Sequence, residues 1–366
     1  MKILFELFSF AVPMVVFAWV LPKRFILFSQ IIITALFIAY KSPFSLLILT
    51  AVSLGNFFLL HRLKANKAIK ISISIILMAG MLYTEKILVA IEHNWVIPLG
   101  MSYYIFRNIH YTLEYYKGRM KDEGMTLYLA YNFFLPVFVV GPINRYPDFV
   151  KDWQRRRFNP EYFSAGTERI LYGLSKILIL GNFFFTFWSL NFIAGLNSHD
   201  IWLKTYLETI RFILNGYFQF AGYSDIAIGL SLLLGFRIIE NFNYPFLSTN
   251  MAGFWTRYHI SLSSFCRDYI YTPIMSYYRK PILGIVFTML MIGLWHEISF
   301  HYLIWALMQS AGIYLATFFN FKNKSAILTN LGRVFVLNYF AISCVIVAHD
   351  SFSDTLNIYK ILFFIR

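Results

Sequence analysis

The 366 residues are 58% hydrophobic, 20% aromatic and only 14% charged, with a mean hydropathy of +0.60. Soluble domains carry roughly 25% charged residues, so this chain cannot clothe a water-facing surface and a soluble globular enzyme is excluded. Lys and Arg total 32 against 18 Asp and Glu, a net charge of +14. The excess lies in short loops between apolar blocks, which excludes a nucleic-acid surface and makes membrane lipids the expected partners.

The chain opens with MKILFELFSFAVPMVVFAWV, an apolar stretch that holds Glu6 and Pro13 and lacks a small-residue cleavage site. It reads as a first membrane helix that stays. Apolar runs follow at 25–40, 44–60, 71–84, 126–141, 168–190, 282–295 and 302–319. Several approach the roughly 20 residues that cross a bilayer, and the shorter ones suit tilted or bundle-buried helices. Solid apolar blocks rather than short alternating segments argue against a β-barrel. The expected fold is all-α, a polytopic integral membrane protein of about ten to twelve membrane helices.

Basic clusters at Lys23-Arg24, at His61, Arg62, Lys64, Lys67 and Lys70, at Lys117, Arg119 and Lys121, and at Arg155-Arg156-Arg157 mark inward loops. Counting crossings from 61–70 puts the amino terminus outside. No repeat, low-complexity tract or linker interrupts the chain; the longest polar stretch, 142–163, reads as a loop within one bundle, so one domain over 1–366 is expected. Cys266 and Cys344 support neither a disulfide framework nor a cysteine metal site.

Two short patterns fail on spacing. HEISFH places His296 and His301 five apart, about 140° around a helix axis, where a zinc protease needs i and i+4. GYSDIAIG has Ile226 where a serine-hydrolase elbow needs its second Gly. No metal site is expected. His61, His93, His110, His199 and His349 read as interfacial or packing residues.

Residues 219–273 carry unusual polar content among aromatics: Asp225, Glu240, Asn241, Asn243, Arg257, His259, Arg267 and Asp268. On a helix beginning near Phe254, His259, Ser263 and Arg267 recur at i, i+4 and i+8 and form one polar stripe, while Trp255, Leu262, Phe265 and Tyr269 cover other sides. The residues alone leave two readings open: a stripe facing a bundle interior or wet cavity, or an interfacial amphipathic helix. Farther on, Arg279-Lys280 marks a membrane edge and Pro281 opens a helix of fourteen uncharged residues before His296. That is about 21 Å of rise into a core roughly 30 Å thick, which puts the imidazole inside the membrane. Desolvation disfavours its charged form, and a neutral imidazole near a hydroxyl is a general base. The other reading is a His bonded structurally to a neighbouring helix.

The segments FWTRYHISLSSFCRDYIYTP and GLWHE, preceded by GYSDIAIGLSLLLGFRIIENFNYPF, resemble the bacterial membrane-bound O-acyltransferases of the alginate O-acetylation and teichoic-acid D-alanylation type. Upstream, IPLGMSYYIFRNIHYTLEYYKGR is similar to the family's Pro-x-Gly-x-Ser-Phe-Tyr segment, and FFLPVFVVGPINRYPDF to its Gly-Pro-Ile-x-Arg-Tyr loop. The resemblance makes 97–310 a catalytic core between amino-terminal membrane helices at 1–95 and carboxy-terminal ones at 311–366. It implies a helical ring around a central tunnel or funnel, His296 as the active-site histidine and His259 as the second histidine. Glu297 stands where the family has Gly, Tyr258 replaces a Trp, and the Gly-Gly-Asn-Arg element of alginate-type members is missing, as in the D-alanylation branch.

The implied activity is O-acyl transfer. An acetyl or D-alanyl-like group leaves a cytoplasmic thioester, acyl-CoA or the phosphopantetheine arm of an acyl carrier protein, with no tightly bound cofactor. It passes to a hydroxyl on an extracytoplasmic cell-envelope glycan, lipid or partner protein, which makes an outer acyltransferase or acceptor protein a further partner. His296 takes the proton, His259 orients or polarises the thioester, and Asn241, Asn243, Arg257, Ser263, Arg267, Asp268, Asp225 and Trp295 are the substrate-binding candidates. The bacterial cytoplasmic membrane is the expected location. Arg155 to Arg157 either dock an acidic carrier or anchor the loop to lipid. The rival reading is a transporter or flippase that uses the same residues without chemistry.

Overall fold

The computed structural model describes residues 2–91, 98–118, 124–197, 199–318 and 325–365; His93, Arg119 and Lys121 lie outside them. The chain folds as α1 (Lys2–Val20), α2 (Lys23–Lys41), α3 (Pro43–His61), α4 (Lys67–Ile91), α5 (Met101–Tyr116), α6 (Met125–Asn132) and α7 (Tyr146–Gln154). Next, α8 (Pro160–Ser175) continues through a π-helical stretch, Lys176–Trp188, into α9 (Ser189–Ala194), followed by α10 (Ile201–Leu233) and α11 (Met251–Trp255). The remainder is α12 (Ile260–Cys266), a π turn (Arg267–Tyr271), α13 (Thr272–Tyr278), α14 (Pro281–His296), α15 (Phe300–Leu315), α16 (Ala326–Ala348) and α17 (Phe352–Phe363). The protein is an all-α multi-pass membrane protein.

Among the described residues six stretches are long and apolar enough to cross a membrane: α1, α2, α3, Lys67–Leu88, Pro160–Ala194 and α16. Other apolar runs give shorter helices because the chain breaks inside them. The 126–141 run leaves the α-helix at Phe133 and passes through a 3₁₀ turn at Leu135–Val137, where Pro136 lacks a donor. The 282–295 and 302–319 runs fold as the sixteen-residue helices α14 and α15. The 33-residue α10 carries Lys204, Glu208, Arg211 and Asp225 along its length.

Two compact units divide the chain. The first comprises Met1–Tyr172 and Ser224–Ile239. Here α1 to α5 pack successively against one another. Glu6, anomalous in an apolar run, is answered by Lys41 on α2, 2.7 Å away. Inside, polar side chains tie α3 to α6 together: Ser74 Oγ donates to Asn56 Oδ1 at 2.8 Å, Asn108 Nδ2 to Asn132 Oδ1 at 2.9 Å, and the Tyr128 hydroxyl to Asn108. Hydrogen bonds of this kind hold helices together where the hydrophobic effect gives no preference. Gly166 on α8 and Gly229 on α10 permit a close crossing, since a Cβ on Gly229 would stand 2.5 Å from the Gly166 carbonyl oxygen.

Arg156 is committed inside this unit, while Arg155 and Arg157 are exposed. Its Nη2 donates to the Ala18 carbonyl at 2.7 Å and its Nε to that of Leu234 at 2.8 Å, and the guanidinium lies 3.9 Å from the Trp19 ring centre. Trp19 Nε1 in turn donates to the Leu233 carbonyl at 2.8 Å. One cation thus caps the carbonyl ends of α1 and α10, where the helix dipole favours positive charge. Arg156→Ala is expected to destabilise the protein by about 2–4 kcal/mol, seen as a lowered thermal midpoint in detergent, because each charge-assisted hydrogen bond contributes roughly 1.5–3 kcal/mol. A lysine at 156 lacks the fork that reaches both carbonyls and recovers less than half of the loss.

The second unit comprises Gly173–Tyr223 and Glu240–Arg366. Within it α14 packs extensively against α15. Gly293 makes this approach feasible, since a Cβ there would stand 2.7 Å from the Tyr302 carbonyl oxygen and 3.1 Å from Ala306 Cβ. Gln309, fully buried, links α11, α15 and α16 by accepting from Trp255 Nε1 at 3.2 Å and donating to Ser343 Oγ at 2.6 Å.

Candidate active site

Pro281 is the first residue of α14, as the sequence predicts, and His296 is the last. Glu297 turns extended (φ −160°, ψ 146°) and Ser299 caps α15 by accepting from the Tyr302 N–H. The three-residue link folds α15 back on α14, and α15 then supplies an aromatic cradle. His296 stacks on Tyr302 at 5.4 Å between ring centres and 16° between planes, and meets Trp305 edge-on at 6.0 Å. The His296 side chain is exposed, as is Glu297, and the imidazole is not sealed among apolar neighbours.

His259 sits differently from the sequence reading. The helix expected from Phe254 through Arg267 is broken: α11 ends at Trp255, and His259 adopts a left-handed conformation (φ 47°, ψ 51°) immediately before α12. A non-glycine residue there carries strain of roughly 1–3 kcal/mol and persists only where its surroundings over-determine it. Those surroundings are the 241–243 segment. The Asn241 carbonyl accepts from the Ile260 N–H at 2.9 Å, Asn241 Oδ1 accepts from the Ser261 N–H at 3.3 Å and Oγ–H at 2.9 Å, and the Asn243 N–H donates to the Arg257 carbonyl at 2.9 Å. Pinned on both flanks, His259 turns its ring edge-on to Phe220, 4.7 Å away. It is only 4% exposed and its Nε2 has no hydrogen-bond partner among the described residues. An unmade bond on a buried polar atom marks a group available to a ligand or water.

The two histidines meet at Trp295, whose ring centre lies 4.5 Å from that of His296 and 6.1 Å from that of His259. The same unit holds a cavity of about 390 Å³, lined among others by Trp255, Ser263, Arg267, Tyr271, Thr288 and Ile292; neither histidine nor Trp295 lines it. On α14 its lining residues Ile285, Thr288, Met289 and Ile292 recur at helical spacing along the face that ends, one turn later, in His296. The walls are apolar with scattered hydroxyls and one cation, a composition suited to a small amphipathic ligand.

The remaining candidates divide. Ser263 and Arg267 line the cavity without His259, because the left-handed turn takes the imidazole off their helical face. Arg267 pairs with Asp268 at 3.1 Å and both are exposed. Asn241 is fully buried and holds backbone, whereas Asn243 is exposed beside the Phe242–Tyr258 bridge and Arg257 is half-buried. Asp225 belongs to the first unit, where Arg169 engages its carboxylate at 2.7 Å. Sequence reasoning missed Phe220, Tyr302, Trp305 and Thr288. Only Tyr302 and Trp305 carried a signal, three apart and a short turn after His296. His61 and His110 are packing residues, hydrogen-bonded to the Tyr111 hydroxyl at 2.9 Å and to the Tyr146 N–H at 3.0 Å.

The profile described as MBOAT, membrane-bound O-acyltransferase family, matches residues 44–352. The chain belongs to the membrane-bound O-acyltransferase family. This family member is 34% identical over 219 residues to the probable alginate O-acetylase AlgI of Pseudomonas putida, an alignment covering 57% of this chain and 44% of that protein. To the AlgI of Pseudomonas aeruginosa it is 33% identical over 224 residues, covering 57% and 41%. To the teichoic acid D-alanyltransferase of Bacillus subtilis it is 31% identical over 246 residues, covering 63% and 61%. The chain thus spans less than half the length of the alginate relatives. Identity alone does not separate the two kinds of relative.

Proposed function

We propose that this protein transfers an acyl group, acetyl or D-alanyl-like, from a cytoplasmic thioester to a hydroxyl of an extracytoplasmic cell-envelope glycan, lipid or partner protein, in a bacterial cytoplasmic membrane. The donor is acyl-CoA or the phosphopantetheine thioester of an acyl carrier protein. What supports this reading is the exposed imidazole of His296 at the end of the α14 face that lines the cavity, with a second imidazole across Trp295. The donor arm lies along the cavity, with the hydroxyls of Ser263 and Thr288 within its walls. The acceptor oxygen attacks the thioester carbonyl as His296 takes its proton; the carbon–sulfur bond then breaks and the thiolate leaves with that proton. His259 orients the donor. An exposed outer acyltransferase or acceptor protein receives the group.

The test is transfer itself. Protein reconstituted in proteoliposomes receives a thioester labelled in its acyl group, first as acetyl-CoA and then as the D-alanyl carrier protein, together with a hydroxyl acceptor. Label is expected in an oxygen ester on the acceptor, dependent on both protein and acceptor. Label that crosses the bilayer still bound as thioester, with no ester formed, overturns the reading in favour of transport.

A further inference from the structure

We propose that the α3–α4 hairpin holds one anionic phospholipid, with an acyl chain in the groove between the helices and its phosphate at the connecting loop. This inference does not rest on acyl transfer. Between α3 and α4 lies a second cavity, of about 400 Å³, walled by Ile48, Ala51, Gly55, Leu59, Leu77 and Met78 among others. Ala51, Gly55 and Leu77 are exposed, so the cavity opens outward, and a Cβ on Gly55 would meet nothing within 4 Å. Ile48 to Leu59 on α3 is about 16 Å of helix, a length that accommodates much of one extended acyl chain.

The charge at one end decides the occupant. Leu59 lies three residues before Arg62, and the loop from there to α4 exposes Arg62, Lys64 and Lys67. The sequence contains no Asp or Glu between Glu6 and Glu85, so α3, the connecting loop and α4 up to that point supply no acid of their own to these cations. Lys67 lies 5.3 Å from the Tyr115 ring centre and Lys70 donates to the Leu60 carbonyl at 2.8 Å, whereas Arg62 and Lys64 have no ion pair among the described residues. Apolar length ending in unpaired cations is the recognition pattern for a lipid that carries a negative headgroup on a hydrocarbon chain. Ala51 and Gly55, four apart, would also admit a partner helix, but a helix alone leaves the cationic end unanswered.

Native mass spectrometry of the full chain, delipidated in detergent and given equal amounts of phosphatidylglycerol and phosphatidylcholine, tests this. One retained phosphatidylglycerol is expected, in at least about tenfold preference. Gly55→Phe, which fills the groove, and the pair Arg62→Gln with Lys64→Gln, which removes the headgroup contacts, each abolish that preference. Ile76→Phe, on an exposed position of α4 that does not line the groove, leaves it intact. Equal retention of both lipids overturns the proposal, as does an adduct that survives both variants. Displacement of the lipid by inorganic phosphate shows a simple anion site, and a polypeptide retained in its place shows a helix-docking face; either result also overturns it.

Discussion

His296→Ala protein is expected to insert and purify like the parent and to transfer acyl groups about 10²–10⁴-fold more slowly, the usual contribution of a positioned general base. The expectation follows from where α14 stops. Fifteen uncharged residues after Arg279-Lys280 end in an imidazole, and the backbone leaves the helix at the next residue. The ring is exposed and oriented by Tyr302 and Trp305, so removing it opens no core cavity and folding is spared. Because a base acts on the proton that moves in the transition state, kcat and kcat/KM fall together while KM changes little. Measurement of ester formation from labelled donor under saturating and limiting thioester separates these constants. Parental turnover in the alanine variant would remove His296 from the chemistry and leave the stacked ring as packing. A rise in KM alone would make it a binding group.

Local pattern carried the parts of the architecture that depend on local chemistry. Composition and apolar block length were enough for a helical membrane protein, and Pro281 marked the start of α14 because a proline at a helix start is a local signal. What stayed hidden depends on partners distant in sequence. Asp225 looked like a site residue because an acid among Ile, Ala and Leu has no local explanation; its answer, Arg169, lies 56 positions back. Arg156 looked like one of three equivalent surface cations, yet it serves carbonyls 138 and 78 residues away. The stripe through His259, Ser263 and Arg267 obeyed helical spacing, and the chain breaks it because Asn241 and Asn243 take up the backbone groups around Tyr258 and Ile260. Tertiary hydrogen bonds overrode periodicity at the residue that departs furthest from ordinary backbone geometry, which is where strain and function tend to coincide.

That departure makes Asn241 a positioning residue with an expected effect second only to that of His296. Asn241→Ala removes the oxygen that holds both the N–H and the hydroxyl of Ser261, leaving a fully buried donor unanswered at a cost of about 1–3 kcal/mol. The strained backbone at His259, no longer held on its carboxy-terminal side by this side chain, relaxes toward an ordinary conformation and carries the imidazole away from Trp295. A displacement of about 1 Å can reduce turnover by about 10²-fold with binding largely retained. The expected signature is therefore a kcat loss of that order with KM nearly unchanged, in protein that still unfolds cooperatively at a slightly lower temperature. Ser261→Ala, which removes one of the two donors and leaves the backbone bond, is the control and should cost about threefold or less. A merely structural Asn241 would lower the unfolding temperature equally and leave the turnover of the folded fraction at the parental value. It is this split between turnover and stability that distinguishes a frame built to aim His259 from one that only joins two loops.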